Sequence, residues 1–326
     1  MKRFLSGAIF GLSVVAFASL AHAQPYPNKP ITIIVPFAAG GPTDIVARLI
    51  AAQFLTSLGQ QAVVENVVGA AGTIGMVRAA RAAPDGYTLL LVGMSTMSFS
   101  PAIYPNLPAH SVNSFDPVGI VASAPIVLVA SKQVPANTVK EFADYLRTQG
   151  DKAANAHAGV GSSSHLACSL LNARLGVKPS VVPYKGTGPA MNDILGGQVH
   201  YMCDQTTSVM AQVQAGGVKA LAVLADQRSK ALPTVPTISE AGYPGAEMVL
   251  WNAIFAPKGT PPGIVKQLNA AIAKGVEHPA VGKQFSELGA EAPGPVQRSP
   301  EALVKILASD IEKWGAVIRD AGIKAN

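Results

Sequence analysis

Several familiar signatures are missing from this 326-residue chain, and each absence removes a class of function. Lysine and arginine never form a cluster, although the formal net charge is +6, so a nucleic-acid-binding surface is not expected. No apolar run of membrane-spanning length follows the first 20 residues, which indicates a soluble mature protein. The chain also lacks G-x-S-x-G, H-E-x-x-H, a Walker A loop and a dinucleotide-binding G-x-G-x-x-G. We therefore expect neither an enzyme nor a bound cofactor.

Cysteine is scarce, with only Cys168 and Cys203 present. Neither lies in a C-x-x-C or zinc-type spacing, so no metal site is expected. Their apolar neighbours favour two buried free thiols. A disulfide stays open as the alternative, because an exported protein can form one.

The first 23 residues have the pattern of a secretory signal peptide. Lys2 and Arg3 precede an apolar run from Phe4 to Leu20, and residues 21–23 (AHA) form a small-x-small cleavage site. We expect cleavage before Gln24 and export to the periplasm. Removal of the two basic residues lowers the formal charge by two, and the remaining excess suits a small anionic ligand.

The rest of the chain alternates strands with helices, which predicts an α/β fold of mostly parallel sheets flanked by helices. Strands are predicted at 31–37, 62–66, 87–92, 155–158, 181–184, 199–203 and 219–224, and helices at 44–58, after Gly72, at 138–149, and from about Ser164, Gly188 and Thr206. A last helix carries one apolar stripe for packing: Leu303, Leu307, Ile311, Trp314 and Ile318.

Two long apolar passages, 118–130 and 248–257, are placed to cross between two lobes. They predict a discontinuous first lobe, residues 24–125 plus 248–326, and a second lobe, residues 126–247, joined by a hinge. The ligand is then expected between the lobes.

The most informative stretch is Ile31–Asp44 (ITIIVPFAAGGPTD), a strand that enters a helix through glycines. A helix start presents unpaired N–H groups and the positive end of its dipole, which together bind anions. Residues 159–166 (GVGSSSHL) repeat the arrangement in the second half. Within the first loop Thr43 or Asp44 is expected to cap the helix, so Asp44 is read as structural.

Ligands of open α/β sheets bind at the carboxyl ends of strands, and the candidate binding residues all follow strands. They are Phe37, Ala39, Gly40, Gly41 and Thr43; Ser95 and Thr96; Gly161, Ser162, Ser163, Ser164 and His165; Lys185, Gly186, Thr187 and Gly188; and Asp204. Arginine is absent from all of these loops, so a bound carboxylate would be held mainly by neutral donors and dipoles.

Several of these assignments have alternatives. Residues 94–98 could be an ordinary surface turn, Lys185 could only face solvent, and His165 could simply occupy a first helical turn. Asp204 could accept a hydrogen bond from a ligand or cap the helix near Thr206. Apolar walls for a ligand could come from Phe37, Met94, Met97 and Phe99, which could equally be core residues.

Taken in order, the motifs resemble those of the Bug-type extracytoplasmic solute receptors of tripartite tricarboxylate transporters. The resemblance covers nearly all of the mature chain and rests on residues 36–44 (PFAAGGPTD) with Arg48, 65–66 (EN), 69–72 (GAAG) with Gly75, 84–89 (PDGYTL), Gly161-Ser162 with His165-Leu166, 182–186 (VPYKG), 196–198 (GGQ), 232–237 (LPTVPT) and 240–242 (EAG). The chain departs from the family pattern at Val68, where proline is usual, and at Ser100, where asparagine is common.

The resemblance implies a two-lobed periplasmic-binding-protein fold of type II-like form that closes on a carboxylated ligand. It places ligand contacts in the loops at 38–43, 161–165 and 185–188. The expected function is capture of a small mono- or dicarboxylate, aliphatic or aromatic, by a monomer that delivers it to integral-membrane transporter subunits. A ligand-presenting co-receptor for a sensor kinase is the alternative, and the sequence does not separate the two.

Overall fold

The computed structural model describes residues 26–104, 109 and 113–320, and the predicted signal peptide lies outside the described residues. Its nine strands in those ranges are β1 (Ile31–Val35), β2 (Ala62–Asn66), β3 (Thr88–Gly93), β4 (Phe115–Ser131), β5 (Ala154–His157), β6 (Ser180–Pro183), β7 (Tyr201–Gln205), β8 (Val218–Leu224) and β9 (Val249–Pro257). Each strand predicted from the apolar runs is present, and no end is shifted by more than two residues.

Ten α-helices alternate with the strands in the described ranges. They are α1 (Pro42–Leu58), α2 (Thr73–Ala80), α3 (Ser100–Ile103), α4 (Val139–Gln149), α5 (Ser163–Leu175), α6 (Thr187–Leu195), α7 (Thr206–Gln214), α8 (Pro262–Glu277), α9 (Pro279–Glu287) and α10 (Pro300–Asp320). None of the described helices is long and apolar enough to cross a membrane. The predicted α/β architecture is confirmed.

The strands form a mixed sheet in the order β2-β1-β3-β9-β4-β7-β5-β6, with β8 also paired to β4. The outer ladders β1–β2, β1–β3, β5–β6 and β5–β7 are parallel, as the strand–helix alternation predicts. The two passages predicted to cross between lobes form β4 and β9. They run antiparallel to each other and to their other neighbours, an orientation that the apolar pattern did not reveal.

Strand β4 changes partners partway along its length. Its residues 115–125 pair with β9, and its residues 126–131 pair with β7 and β8. One continuous strand thus belongs to the β1-β2-β3-β9 group at its start and to the β5-β6-β7-β8 group at its end. The carboxyl ends of β1, β3, β5, β6 and β7 meet at one cleft, where the loop after β1 contacts the loop after β6.

Helix α10 packs on the sheet beside β4 through its apolar stripe. Leu303, Leu307, Trp314 and Ile318 are buried and Ile311 is partly buried. The Trp314 ring packs on Phe99 with centroids 5.3 Å apart. The stripe is therefore core packing, as expected.

The expectation of free thiols is wrong, because Cys168 and Cys203 form a disulfide. Cys168 lies in α5 and Cys203 in β7, and the packing of this helix on the sheet brings their Cα atoms to 5.4 Å. Both residues are fully buried, so the apolar surroundings were read correctly. The pairing depends on which helix face meets which strand, which a separation of 35 residues does not show.

Candidate functional site

The loop after β1 and the loop after β6 touch across the cleft. The N–H of Ala38 donates a hydrogen bond to the carbonyl oxygen of Lys185 at 3.4 Å. A Cβ atom added at Gly188 would lie only 2.5 Å from the carbonyl oxygen of Ala39. The two loops can therefore approach this closely only because position 188 carries no side chain.

The loop after β1 is held in shape by Asp44, which is buried. Its carboxylate accepts hydrogen bonds from the N–H of Gly40 at 3.0 Å, from Arg48 at 2.9 and 3.0 Å, and from Asn66 Nδ2 at 2.9 Å. Burial would raise the pKa of Asp44, but these hydrogen bonds outweigh it and lower the pKa. Asp44 is thus structural, as predicted.

Helix α1 begins differently from the prediction. It starts at Pro42, its N-cap residue is Gly41, and no side chain caps it. The expectation that Thr43 or Asp44 caps the helix is therefore wrong, because proline at the first position moves the start two residues upstream. The side chain of Thr43 is left without a hydrogen-bond partner among the described residues.

A small buried cavity of about 20 Å³ lies between these loops, with room for one or two water molecules. We call it the inner cavity. Its lining comes from both strand groups and from four loops: Phe37, Gly41, Pro42, Thr43, Gly93, Ser95, Ala158, Ser162, Ser163, Thr187, Asp204 and Gln205. The starts of α1, α5 and α6 all contribute to it, so the positive ends of three helix dipoles meet there.

The three serines at the start of α5 make different contacts. Ser162 caps the helix by accepting from the N–H of His165 at 3.3 Å, and Ser164 accepts from the N–H of Ala158 at 2.9 Å. The hydroxyl of Ser163 has no hydrogen-bond partner among the described residues, and Ser163 lines the inner cavity. One serine is therefore left for a ligand, which fits the argument that three serines exceed the need of one cap.

Residues 94–98 are not the surface turn that the alternative proposed. They begin a buried helical turn, Ser95–Phe99, in which every side chain is buried. Ser95 lines the inner cavity and has no hydrogen-bond partner within the described part of the chain. The buried hydroxyl of Thr96 likewise lacks a partner there.

Asp204 lies at the carboxyl end of β7 and is fully buried at the inner cavity. It accepts hydrogen bonds from the hydroxyl of Thr187, from the N–H of Gln205 at 2.9 Å and from the Ser208 hydroxyl at 3.2 Å. Burial raises the pKa of Asp204 to about 6, although these hydrogen bonds lower it. Asp204 does not cap α7, whose N-cap residue is Gln205.

Two histidines pack against each other beside the α5 start. The rings of His157 and His165 lie 4.4 Å apart, and each Nδ1 accepts a backbone N–H, from Gly159 and Gly161 respectively. Burial, with the charge of His165, lowers the pKa of His157 to about 4, and burial lowers that of His165. Both rings are therefore neutral at neutral pH. His165 occupies the first turn of α5.

A larger cavity of about 260 Å³ adjoins the inner one and opens to solvent; we call it the outer cavity. The two cavities share Phe37 and Ala158. The rest of its lining is largely apolar: Pro36, Gly69, Ala70, Gly72, Tyr104, Gly159, Val160, Tyr184 and Lys185. Across it the Tyr104 hydroxyl donates to the carbonyl oxygen of Val160 at 2.9 Å. Lys185 is exposed at the rim of this cavity.

The structure brings most of the predicted residues to the cavities. The inner cavity is lined by Phe37, Gly41, Thr43, Ser95, Ser162, Ser163, Thr187 and Asp204, and the outer one by Phe37 and Lys185. The others lie in the same loops but outside both linings: Ala39, Gly40, Thr96, Gly161, Ser164, His165, Gly186 and Gly188. Of the proposed apolar walls, only Phe37 lines the inner or the outer cavity. Met94 lines a separate cavity beside Trp251 and Trp314, and Met97 and Phe99 are buried in the core.

The sequence interpretation missed Gln205 and Tyr104. Gln205 lines the inner cavity, and its side-chain oxygen accepts from Asn252 Nδ2 at 3.0 Å, which links β7 to β9. Its position directly after Asp204 at a strand end was the available signal. Tyr104 follows α3, and no pattern in the sequence connects it with Val160.

A mixed α/β sheet flanked by helices, with a polar cavity where several helices begin, is typical of periplasmic solute-binding proteins. Residues 46–323 match the family described as "Tripartite tricarboxylate transporter family receptor". The chain belongs to this family, and the resemblance inferred from its motifs is confirmed. Members of this family are receptors, so the expectation that the chain is not an enzyme is also confirmed.

Solved structures of similar proteins agree with this assignment. The periplasmic binding protein BugD is 42% identical, with a TM-score of 0.89, covering 92% of this chain and 100% of BugD. MatC from Rhodopseudomonas palustris, solved with malate, is 42% identical, with a TM-score of 0.86 and coverage of 90% and 100%. Rpa4515 of R. palustris, solved with adipate, is 32% identical, with a TM-score of 0.88 and coverage of 92% and 100%.

Proposed function

We propose that this protein captures a small mono- or dicarboxylate, aliphatic or aromatic, and delivers it to the membrane subunits of a tripartite transporter. One observation carries the proposal: hydroxyls of Thr43, Ser95 and Ser163, without partners among the described residues, line one cavity at the starts of three helices. Neutral donors and helix dipoles at this point suit a carboxylate. The similarity to proteins solved with malate and adipate supports the same class of ligand.

The proposed ligand contacts are the four strand-end loops together with Asp204. The carboxylate would occupy the inner cavity, and the body of the ligand would extend into the outer cavity against Phe37. The inner cavity has room for only about one or two waters, so a bound carboxylate group would take the place of solvent there and use the same donors. Lys185 at the rim supplies a cation for a second acidic group.

We propose the division into lobes at 125/126 and 247/248, with residues 24–125 and 248–326 in one lobe and 126–247 in the other. The change of β4 pairing between Pro125 and Ile126 supports it. We also propose that the chain is exported after cleavage of residues 1–23 and that it acts as a monomer which closes around the ligand. Similarity to the periplasmic protein BugD supports this location.

A thermal-shift panel tests the proposed ligand class. A carboxylate at about 100 times its Kd should stabilise the chain by about 2.7 kcal/mol and raise Tm by several degrees. The matched control for each acid is its neutral amide, which has the same carbon body and no charge. The panel includes malate and adipate, with sugars and divalent cations as unrelated compounds. Stabilisation by a sugar or cation, with none by any acid, would contradict the proposal.

Tyr104 provides a prediction for closure. Replacing it with phenylalanine removes the hydroxyl that donates to Val160 across the outer cavity and leaves the ring in place. We expect carboxylate affinity to fall about fivefold, since a neutral hydrogen bond contributes about 1 kcal/mol, with the change mainly in the dissociation rate. Stopped-flow binding measures this. Tyr243→Phe, outside both cavity linings, is the control, and equal rates in the two variants would rule out the role of Tyr104.

A further inference from the structure

We propose that the protein takes up one proton together with its carboxylate ligand, and that Asp204 carries this proton. The inference rests on the proposed function, because it requires an anion in the inner cavity. It adds a second binding partner, the proton, and makes affinity depend on pH. The argument starts from the position of Asp204 in that cavity.

Asp204 is the acidic residue of the inner cavity lining, and it is 1% exposed. Its Oδ2 atom accepts from Thr187 and Ser208, whereas Oδ1 accepts only from the N–H of Gln205. One acceptor position on Oδ1 is therefore unused by the described residues. A proton at this atom would turn Asp204 from a second negative charge into a hydrogen-bond donor.

No cation in the described part of the chain neutralises Asp204. Helix α7, directly after it, contains no titratable residue, and the paired segment of β4 is apolar. Among the surrounding loops and helices, Asp44 of α1 pairs with Arg48, and Asp193 of α6 accepts from the Tyr184 hydroxyl. Lys185 is exposed at the outer cavity rather than in the inner lining. The lining residues are nearly all buried and include no cation, so two carboxylates in this cavity cannot both remain charged at low cost.

The two histidines are the other groups that could take up a proton. His157 ends β5 and His165 lies in the first turn of α5, both next to the loop that contributes Ser162 and Ser163. Each Nδ1 is already occupied by a backbone N–H donor, which must be lost if that nitrogen is protonated. Asp204 has an unused acceptor position and lines the cavity itself, which favours the carboxyl group.

The direction of the pH effect follows from the two states of Asp204. Burial already raises its pKa to about 6 in the structure without ligand, and a bound anion raises the pKa further. Between these two pKa values the complex binds more protons than the free protein, so affinity increases as pH falls from 8 to 6. Below pH 6 the free protein is itself protonated and the gain levels off. Carboxylic acids titrate near pH 4–5, so the ligand stays ionised in this window.

Isothermal titration calorimetry tests the inference on the full mature chain. The probe is whichever of malate, adipate or the other panel acids stabilises the protein most. Titrations at pH 7 in buffers of different ionisation enthalpy should show uptake of roughly one half to one proton per ligand. The Kd should weaken at least about fivefold between pH 6 and pH 8.

Two substitutions identify the residue that takes up the proton. Asp204→Asn supplies a permanently neutral group of the same shape, so its proton uptake should fall to zero and its Kd should lose the pH dependence. His165→Asn retains an acceptor near the position of Nδ1 and should keep the uptake. If Asp204→Asn does not fold, the wild-type uptake and pH profile still decide whether a proton binds.

The outcomes are distinct from failure of the proposed function. If no carboxylate binds at any pH, the proposed function fails. Binding without proton uptake, and with equal Kd at pH 6 and pH 8, would overturn this inference alone. Uptake that persists in Asp204→Asn and disappears in His165→Asn would also overturn it, because the proton would then reside on the histidine.

Discussion

Gly188→Ala is expected to reduce carboxylate affinity by roughly 10–100-fold, because overpacking typically costs about 1–3 kcal/mol. The added methyl group would lie 2.5 Å from the carbonyl oxygen of Ala39, on the opposite side of the cleft. Both atoms belong to backbone segments that cannot turn away, so the two loops must separate. The variant should therefore bind ligand in a form that does not close fully, measured by calorimetry and by small-angle scattering with saturating ligand.

The same substitution should stabilise helix α6 while it weakens ligand binding. A loss of affinity in Gly188→Ala therefore reports on closure and not on folding. Gly188 is the second residue of α6, where alanine is a better helix former than glycine. Gly263 is the second residue of α8, and a Cβ atom there has no neighbour within 4 Å. Gly263→Ala is thus a matched control that should bind normally. Wild-type affinity in Gly188→Ala would show that the contact between Gly188 and Ala39 is not needed for binding.

Loss of the Cys168–Cys203 disulfide is expected to lower the free energy of unfolding by about 3–4 kcal/mol. The bond closes a loop of 35 residues, and its removal restores conformational freedom to the unfolded chain. For a chain of this length the corresponding fall in Tm is roughly 10 °C. The comparison is between oxidised protein and protein unfolded and refolded in reductant, with thiols counted to confirm reduction.

A double variant distinguishes the contribution of the cross-link to stability from the contribution of the packed sulfur atoms. Both cysteines are fully buried, so Cys168→Ala with Cys203→Ala loses the bond and some core volume, whereas reduced wild-type protein loses only the bond. The double variant should be the less stable of the two. If reduced and oxidised wild-type proteins unfold at the same temperature, the disulfide does not stabilise this fold.

The regular elements could be predicted from the sequence because their signals are local. The strand Ala62–Asn66 was placed at its observed bounds, and the α10 stripe identified the buried face of the last helix. The spacing of apolar residues identifies such an element, and glycine or proline marks its ends, so distant residues are not needed to predict it. The start of α1 was misplaced because Pro42 was not recognised as a first helical residue.

The candidate site was predicted only as a set of loops. Strand ends followed by glycine and serine identified the segments around Thr43 and Ser163, but not which side chain in each loop reaches the cavity. Ser163 lines it whereas Ser164 binds the backbone of Ala158, and these neighbours carry the same side chain. Their roles differ because successive residues on a helix point about 100° apart, and only the neighbouring strands define which direction is the cavity.

The sequence by itself determined the succession of strands and helices, the loops at the strand ends, the two long apolar strands and the resemblance to a receptor family. Each of these is encoded within a few consecutive residues. The tertiary structure decided the antiparallel central strands, the Cys168–Cys203 bond, the approach of Gly188 to Ala39 and the burial of Asp204 without a cation. These features join segments far apart in the chain, and their energies depend on distances that exist only after the sheet and helices have packed.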